Sequence, residues 1–473
     1  MTNKIKVWFL SAEVAPFAKT GGLGDVAGAL PKALSSLNVD VRICLPLYEI
    51  VNQRAYRLKK IKTEALVKWS TGLEKVSIYY ANLPDSQVPV YFLDHPFLKT
   101  ATIYRQPNNQ DDKPNRKIDD LRKFSFFTKA ALAVAEALNF QPDIIHANDW
   151  HTALVKHFTR QWANDFFVAS RMVYTIHNLA NQGWAGNGIA KWAGLKNWSG
   201  NLNFMAEGIK TADIITTVSP TYAQEILTKP LDAGLGDYLR RRRKDLYGII
   251  NGIDVAEYNP AKDKYLVKKF TAKTIERKKI NKLALQKELG LKQDAGIPLL
   301  GLISRLVWQK GLEIFEQQMA RRNCQWIFLG TGEERYEEQL RNLAERYPDQ
   351  ISAQIKFNDG LAHRFYAAAD IFLVPSRFEP CGLTQMMAMR YGAVPVVRAT
   401  GGLKDTVNDS NGFIFNKLTK QEFYQTVDKA LAEYQQQPLA WRQRQLVGMS
   451  EDWSWNGPAQ KYLQIYRKLI EVS

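Results

Sequence analysis

The chain has little sulfur and no membrane-length apolar run. Three cysteines in 473 residues, Cys44, Cys324 and Cys381, are too few and too scattered for a disulfide framework or a thiolate zinc site. No apolar stretch approaches the roughly 18–20 residues that cross a bilayer. The N-terminal segment pairs Lys4 and Lys6 with a short apolar run, but Glu13 follows with no signal-peptide cleavage pattern. The expected setting is the reducing cytoplasm. Two nucleotide signatures are also missing. No complete G-x-G-x-x-G follows a strand-like run, which disfavours a dinucleotide-dependent dehydrogenase, and the absence of G-x-x-x-x-G-K-[ST] disfavours a P-loop enzyme. His146 and His151 lack helical i, i+4 spacing and a third ligand, so neither a metal nor another cofactor is expected. Solenoid repeats and low-complexity tracts are absent too.

What is present fits a soluble protein of two domains. The length exceeds one ordinary core, and 45% hydrophobic with 23% charged residues is a globular composition. A net charge of +17 and the run Arg240-Arg241-Arg242-Arg243-Lys244 invite a nucleic-acid reading. One basic run without a recognisable binding module is outweighed by a solvated helix face, so nucleic acid is not expected as a partner. A positive field also gathers small anionic substrates.

Apolar, β-branched runs alternate with helical patterns along the whole chain. Ile5–Leu10, Val39–Leu45, Val88–Leu93, Asp143–Ile145, Met172–Ile176 and Ile214–Val218 read as strands in the first half. Helical spacing covers Phe124–Leu138 and Tyr222–Leu227 there. The second half offers strands at Leu299–Ile303, Trp326–Leu329, Ile351–Phe357, Ile371–Val374 and Val394–Val397, with helices at Leu312–Ala320, Glu333–Arg346, Ala362–Ala369 and Thr384–Tyr391. Such alternation predicts α/β architecture, with parallel sheets covered by helices on both faces. Arg105–Lys117 and Gln182–Asn203 read as loops, the latter carrying Trp184, Trp192 and Trp198.

One pattern occurs twice, once in each half. Thr20-Gly21-Gly22-Leu23-Gly24-Asp25 and Thr400-Gly401-Gly402-Leu403-Lys404-Asp405 each lie between a strand and a helix. Paired glycines there let backbone N–H groups approach an anion, and the helix N-terminus adds partial positive charge. Two such loops predict two domains facing one phosphate-bearing ligand. In doubly wound sheets, ligands bind beyond the carboxyl ends of strands, and unusual polar residues collect at those ends. Lys19, Asp149 and His177-Asn178 do so in the first half; Ser304-Arg305, Lys310, Phe357, Arg377, Glu379 and Thr400 do so in the second. Arg305 and Lys310 suit a diphosphate, one as a planar fork and the other as a compact charge. Pro380 keeps Glu379 extended before a helix start, where a plain capping charge is the alternative reading. The best class is group transfer from a nucleotide diphosphate donor held between two domains.

These motifs resemble the bacterial and plant ADP-glucose-dependent glycogen and starch synthases. The resemblance rests on Ser11-Ala12-Glu13, Lys19 to Val26, His146 to His151, Thr175 to Leu179, Thr217 to Pro220 and Asn251 to Asp254. It continues through Ser304-Arg305-Leu306, Gln309-Lys310-Gly311 and Val374 to Gln385, effectively the whole chain. The family implies a GT-B fold of two Rossmann-like doubly wound parallel-sheet domains with a deep interdomain cleft. Residues 1–250 would form the acceptor-side domain, 251–455 the nucleotide-sugar domain, and 456–473 a helix crossing back to the first. The implied activity moves α-glucose from ADP-glucose to the non-reducing end of an α-1,4-glucan, with retention and no metal. By matching motif, Glu379, Arg305, Lys310 and His177 are the implied catalytic residues. Lys19, Gly21, Gly22, Asp25, Asp149, Phe357, Gly382, Leu383, Thr384 and Thr400 are the implied substrate-binding set. Phe357 would stack on adenine, and His177 and Asp149 would line the sugar pocket. Glu379 would bind a glucose hydroxyl and oppose positive charge at the anomeric carbon, or act as the nucleophile. The chain departs from the family at Asn181 and Tyr258, at Asp120 and Lys123, and in a shorter stretch from Gly183 to Asn203.

Overall fold

The computed structural model describes residues 4–104, 115–185, 195 and 200–471. The chain divides into two compact units. The first runs to Gly252 and regains the chain from Trp455 onward; the second is Ile253–Ser454.

The main sheet of the first unit contains β1 (Lys6–Leu10), β2 (Asp40–Pro46), β3 (Lys59–Trp69), β4 (Gly72–Asn82), β5 (Pro89–Asp94), β6 (Ile144–Asn148) and β7 (Arg171–Ile176). A small hairpin follows, β8 (Trp184–Ala185) with β9 (Leu202–Asn203), and then β10 (Ile214–Thr217) and β11 (Leu246–Gly248) complete the main sheet. Its order is β11-β10-β7-β6-β1-β2-β5-β4-β3. Only the β3–β4 and β4–β5 pairs are antiparallel. All five residues of β6 are buried, and β1 is buried after Lys6. Parallel strands covered on both faces become continuous apolar runs for this reason. At the edge, β3 instead alternates, with Ala65, Val67 and Trp69 buried and Leu66 and Lys68 exposed. Lysines along that strand discourage pairing with another edge.

From β1 in the middle, the chain lays β2 to one side and later returns to β6 on the other. The direction of winding therefore reverses between β1 and β6, where a doubly wound sheet opens a crevice beyond its strand ends. The helix Asn456–Glu471 closes the unit. Its Ala459, Tyr462, Leu463 and Tyr466 recur at i, i+3, i+4 and i+7 and enter the core beside Val7, Val26 and Leu30.

The second unit is built on β12 (Leu299–Ile303), β13 (Gln325–Leu329), β14 (Ile351–Gln354), β15 (Ile371–Val374), β16 (Val394–Arg398) and β17 (Phe413–Phe415). All its pairs are parallel, in the order β14-β13-β12-β15-β16-β17. Winding reverses between β12 and β15. Two expectations need correction here. The expected helix Leu312–Ala320 forms two short 3-10 turns, Leu312–Ile314 and Gln317–Arg321. Leu312, Ile314, Phe315 and Met319 all enter the core, and Phe315 is extended and packed edge-on against Phe328 and Phe423. A helix could not send all of them the same way. The strand expected through Phe357 stops at Gln354. Asn358 instead caps the helix Asp359–Ala368, accepting the Leu361 N–H at 2.8 Å, which turns the chain before Phe357 can pair.

Candidate active site

In the first unit, the sequence-predicted residues gather where winding reverses. The Asn148 amide, at the end of β6, donates to the Leu10 carbonyl at 2.9 Å and so ties β6 to β1. That bond fixes the amide orientation and turns its oxygen toward His177 Nε2, 2.9 Å away. His177 therefore carries its proton on Nε2 and leaves Nδ1 as an acceptor. Burial pushes the His177 pKa down to about 3, so the ring is neutral at working pH. Asp149 is buried, with φ of 55° and ψ of −176°, a conformation that side chains rarely adopt. Its Oδ1 accepts the His177 N–H at 2.7 Å and the more distant Asn178 N–H at 3.4 Å. Burial pushes its pKa up to about 7, against the pull of those two N–H groups.

The first glycine loop enters the helix Gly22–Ser36 with Gly21 extended as its N-cap. Lys19 Nζ pairs with Asp25 at 2.6 Å. A Cβ on Gly24 would lie 2.9 Å from Lys19 Cγ, so that glycine makes room for the lysine stem. Glu13, quoted in the sequence motif without a role, holds the loop through three of its donors and accepts a fourth hydrogen bond from Tyr104.

In the second unit, Arg305 follows β12 and is exposed; no ion pair to it forms among the described residues. The 3-10 turn Trp308–Lys310 ends at Gly311 with φ of 69°. A Cβ there would meet the Pro375 carbonyl at 2.2 Å, so only glycine lets this turn lie against the segment after β15. The result joins two sequence-predicted residues. Lys310 Nζ lies 2.5 Å from Glu379 Oε2, which also accepts from Ser376 Oγ at 2.8 Å. Gln309 stitches the same segments, its amide donating to the Phe378 carbonyl at 3.0 Å and its carbonyl accepting the Arg377 N–H at 2.8 Å. Glu379 is 7% exposed and spends its carboxylate on Lys310 and Ser376 rather than on capping the helix Thr384–Arg390. Gly382 leads into that helix with φ of 71°. Leu383 is its N-cap and Thr384 its first residue.

The second glycine pair works differently from the anion cradle expected of it. The Gly402 N–H donates to the Glu379 carbonyl at 3.1 Å, and a Cβ on Gly401 would sit 1.9 Å from that same oxygen. These glycines let the helix Gly401–Thr406 press onto the Glu379–Cys381 backbone. Thr400 is buried at its start. Phe357 stands apart on its loop, 75% exposed.

The remaining candidates find other duties. Both His146 ring nitrogens are engaged at 2.6 Å, by Tyr466 and by Thr175. Arg242, in the basic run, donates to the Ile209, Lys210, Ala212 and Asp213 carbonyls, capping the end of the helix Phe204–Thr211. Arg240 bonds the Leu227 carbonyl and Asp237. Tyr258 stacks on His363 at 4.8 Å, and Lys123 pairs with Asp120 at 2.7 Å. Trp192 and Trp198 lie outside the described residues. Among the described residues, no helix is long and apolar enough to cross a membrane.

A family model for the starch synthase catalytic domain matches residues 6–241, and one for glycosyl transferases group 1 matches residues 281–445. The glycogen synthase of Thermotoga maritima is 42% identical over 492 residues, covering 98% of this chain and 99% of that protein. The chain belongs to the glycogen and starch synthase family. A second relative, glycogen synthase 2 of Geobacter sulfurreducens, is 40% identical over 99% of both chains. The catalytic domain of starch synthase IV from Arabidopsis thaliana, solved with ADP and acarbose bound, aligns at a TM-score of 0.91 and 33% identity. That alignment covers 99% of this synthase and 100% of the plant domain. This synthase is thus a glycosyltransferase of GT-B architecture, and the two sheet reversals described above are the switch points of its Rossmann-like units.

Proposed function

We propose that this synthase transfers α-D-glucose from ADP-glucose to the non-reducing end of an α-1,4-glucan, retaining the anomeric configuration. The observation that carries this reading is the Lys310–Glu379 pair at the switch point of the second unit, with exposed Arg305 following β12 on the same chain segment as Lys310. Two cations there can take up the charge that grows on departing ADP, the moment at which preorganised electrostatics matter most. Glu379 brings a carboxylate to the same spot, where it can hold a glucose hydroxyl and oppose oxocarbenium charge. Support for the ligands comes from the plant relative, whose structure holds ADP and acarbose.

The residues of the first unit also contact the donor in this reading. Lys19 and the glycine loop at Gly22 meet the diphosphate, with Asp25 orienting Lys19 and Gly21 serving as the N-cap that shapes the loop. Neutral His177 offers its Nδ1 to a sugar hydroxyl, and Asp149 holds the His177 backbone in place. Gly382, Leu383 and Thr384 supply backbone or hydroxyl donors to phosphate, Thr400 completes the donor set, and exposed Phe357 stacks on adenine. The reaction uses no metal in this reading, because Arg305, Lys310 and Lys19 supply the positive charge. Three buried free cysteines support a reducing, cytoplasmic setting.

The test is ADP release from ADP-glucose with and without glycogen, run beside UDP-glucose and GDP-glucose. Glycogen-stimulated ADP release is expected, with slower turnover of the other donors. Equal or faster use of UDP-glucose would overturn the donor assignment. Failure of glycogen to stimulate release would overturn the acceptor.

A further inference from the structure

A buried carboxylate lies beneath the first glycine loop, and every acceptor position on it is filled. Glu13 is 3% exposed. Its Oε2 accepts the backbone N–H of Thr20 at 2.7 Å and of Gly21 at 2.9 Å. Its Oε1 accepts the Thr20 hydroxyl at 3.0 Å and the Tyr104 hydroxyl at 2.7 Å. An ionised carboxylate has about four lone-pair sites, so four donors saturate it. Successive N–H groups of a glycine loop form an anion-binding concavity; here part of that concavity already holds an anion from the chain itself.

The carboxylate is itself fixed from two sides. On its own strand extension, the Ser11 hydroxyl donates to the Glu13 carbonyl at 2.5 Å, and Tyr48 donates to the Ala12 carbonyl at 2.9 Å. From across the unit comes Tyr104, whose ring stacks on His151 at 5.1 Å. Its neighbour Ile103 is anchored by the buried Lys123, which donates to the Ile103 carbonyl at 2.7 Å. A Cβ on Gly24 would lie 3.3 Å from Glu13 Oε2 and 3.0 Å from Lys19 Cβ, so the stem of Lys19 runs close to this carboxylate.

We propose that Glu13 is a positioning residue: an internal anion, braced by Tyr104, that locks the glycine loop in its working shape. It takes the Thr20 and Gly21 N–H groups out of play and leaves exposed Gly22 and half-buried, Asp25-paired Lys19 to meet the donor. A carboxylate so close to the reaction would otherwise be nominated as an acid, base or nucleophile. Saturation by four donors leaves it no lone pair for substrate. This inference rests on the donor-binding reading of the loop given above.

Its test compares Glu13→Gln with Glu13→Ala. Glutamine keeps one oxygen for the two N–H groups, while its amide meets the Thr20 and Tyr104 hydroxyls, which can turn to accept. Glu13→Gln is expected to hold kcat/KM for ADP-glucose within about threefold of wild type, whereas Glu13→Ala loses roughly tenfold or more through a misplaced loop. Amide exchange in the peptide spanning residues 17–25 should speed up in Glu13→Ala and stay protected in Glu13→Gln. Tyr104→Phe removes one contact of the four and should give a smaller change in the same direction, which decides the matter even where Glu13→Ala fails to fold. A glutamine variant as inactive as alanine would overturn the proposal in favour of a chemical role for the charge. Unchanged exchange in both Glu13→Ala and Tyr104→Phe would overturn it outright. The exchange readout needs no turnover, so a wild-type protein inactive on ADP-glucose would sink the donor reading and leave the loop question answered separately.

Discussion

Lys310 and Glu379 are in direct contact, and that pairing shapes what each substitution should do. Arg305→Ala should cut kcat by roughly 10²–10³ with a smaller effect on donor KM, because it removes a donor to charge that grows only in the transition state; a raised KM with intact kcat would reduce Arg305 to ground-state binding. Glu379→Gln keeps the shape and drops the charge. It should lower kcat more than tenfold, a barrier change above ~1.4 kcal/mol. ADP should bind no more weakly to that variant, since Lys310 loses a competing partner. Weaker ADP binding measured by calorimetry would mean that Glu379 serves the nucleotide rather than the sugar. Asp149 makes a pH prediction. Its pKa is raised from 3.8 to about 7, so in that window the folded protein keeps a proton that the unfolded chain has released. Stability from this group is present below pH ~4 and is lost as pH rises toward 7. Asp149→Asn has no such loss, so its Tm should gain on wild type as pH rises from about 4 to about 7 and the gain should level off above that. Buried His146 and His177 shift the opposite way, losing stability as pH falls from 6.5 toward 3, but they do so in both proteins and cancel in the difference. A constant Tm gap would mean that Asp149 is ionised throughout. At this scale the sequence was most legible where chemistry is written in residue type: Arg305, Lys310, Glu379 and His177 stand out as polar residues at apolar strand ends. The contacts of Glu379 with Ser376 and of Asn148 with His177 were not legible. They depend on how β6, β7 and β15 fall in register, which no local pattern encodes.

At the scale of elements, parallel strands announced themselves as short apolar runs because helices cover both their faces. The hairpin β3–β4 went unread for the converse reason. Half its residues face water, and the lysines that protect the sheet edge dilute the apolar signal to Ala65, Val67 and Trp69. The lysine-rich helix Lys278–Glu288 was hidden in the same way, although its Lys278 is buried and donates to the Tyr366, Ala367 and Tyr391 carbonyls. The glycine pairs looked alike in sequence yet differ in duty, because what presses against each loop comes from elsewhere in the chain. The helix Asn456–Glu471 offers a test of docking at this scale. Its Tyr466 hydroxyl reaches His146, whose other nitrogen meets Thr175, which in turn bonds Thr216 at 2.6 Å. One helix is thus linked through three neighbouring strands. Tyr466→Phe leaves a buried imidazole nitrogen unpaired and should cost about 1–3 kcal/mol in denaturant unfolding. Turnover at 25 °C should stay near wild type, since the chain of bonds ends short of His177. A stability change under ~0.5 kcal/mol would show that water or a ring shift replaces the hydroxyl without cost.

For the whole molecule, the proposed donor contacts are split between the units. Lys19 and Gly22 belong to the first, and Arg305, Lys310 and Thr384 to the second. If one donor takes contacts from both sets, it stabilises whichever arrangement lets both touch it. The chain passes between units at only two points, after Gly252 and after Ser454, so few covalent constraints oppose a hinge motion. Saturating ADP should shrink the radius of gyration measured by small-angle scattering, and the shrinkage should fade in Lys19→Ala. That variant keeps the second unit's phosphate contacts and Gly22 but loses the first unit's cation, so ADP would still bind while most of the inducement to close is gone. The comparison separates two causes that a single titration confounds. Compaction that persists in Lys19→Ala would mean that ADP acts within the second unit alone, and the first glycine loop would then serve the glucan or the glucosyl group instead. An unchanged profile in wild type, starting from an extended ligand-free state, would remove closure from the account of donor binding.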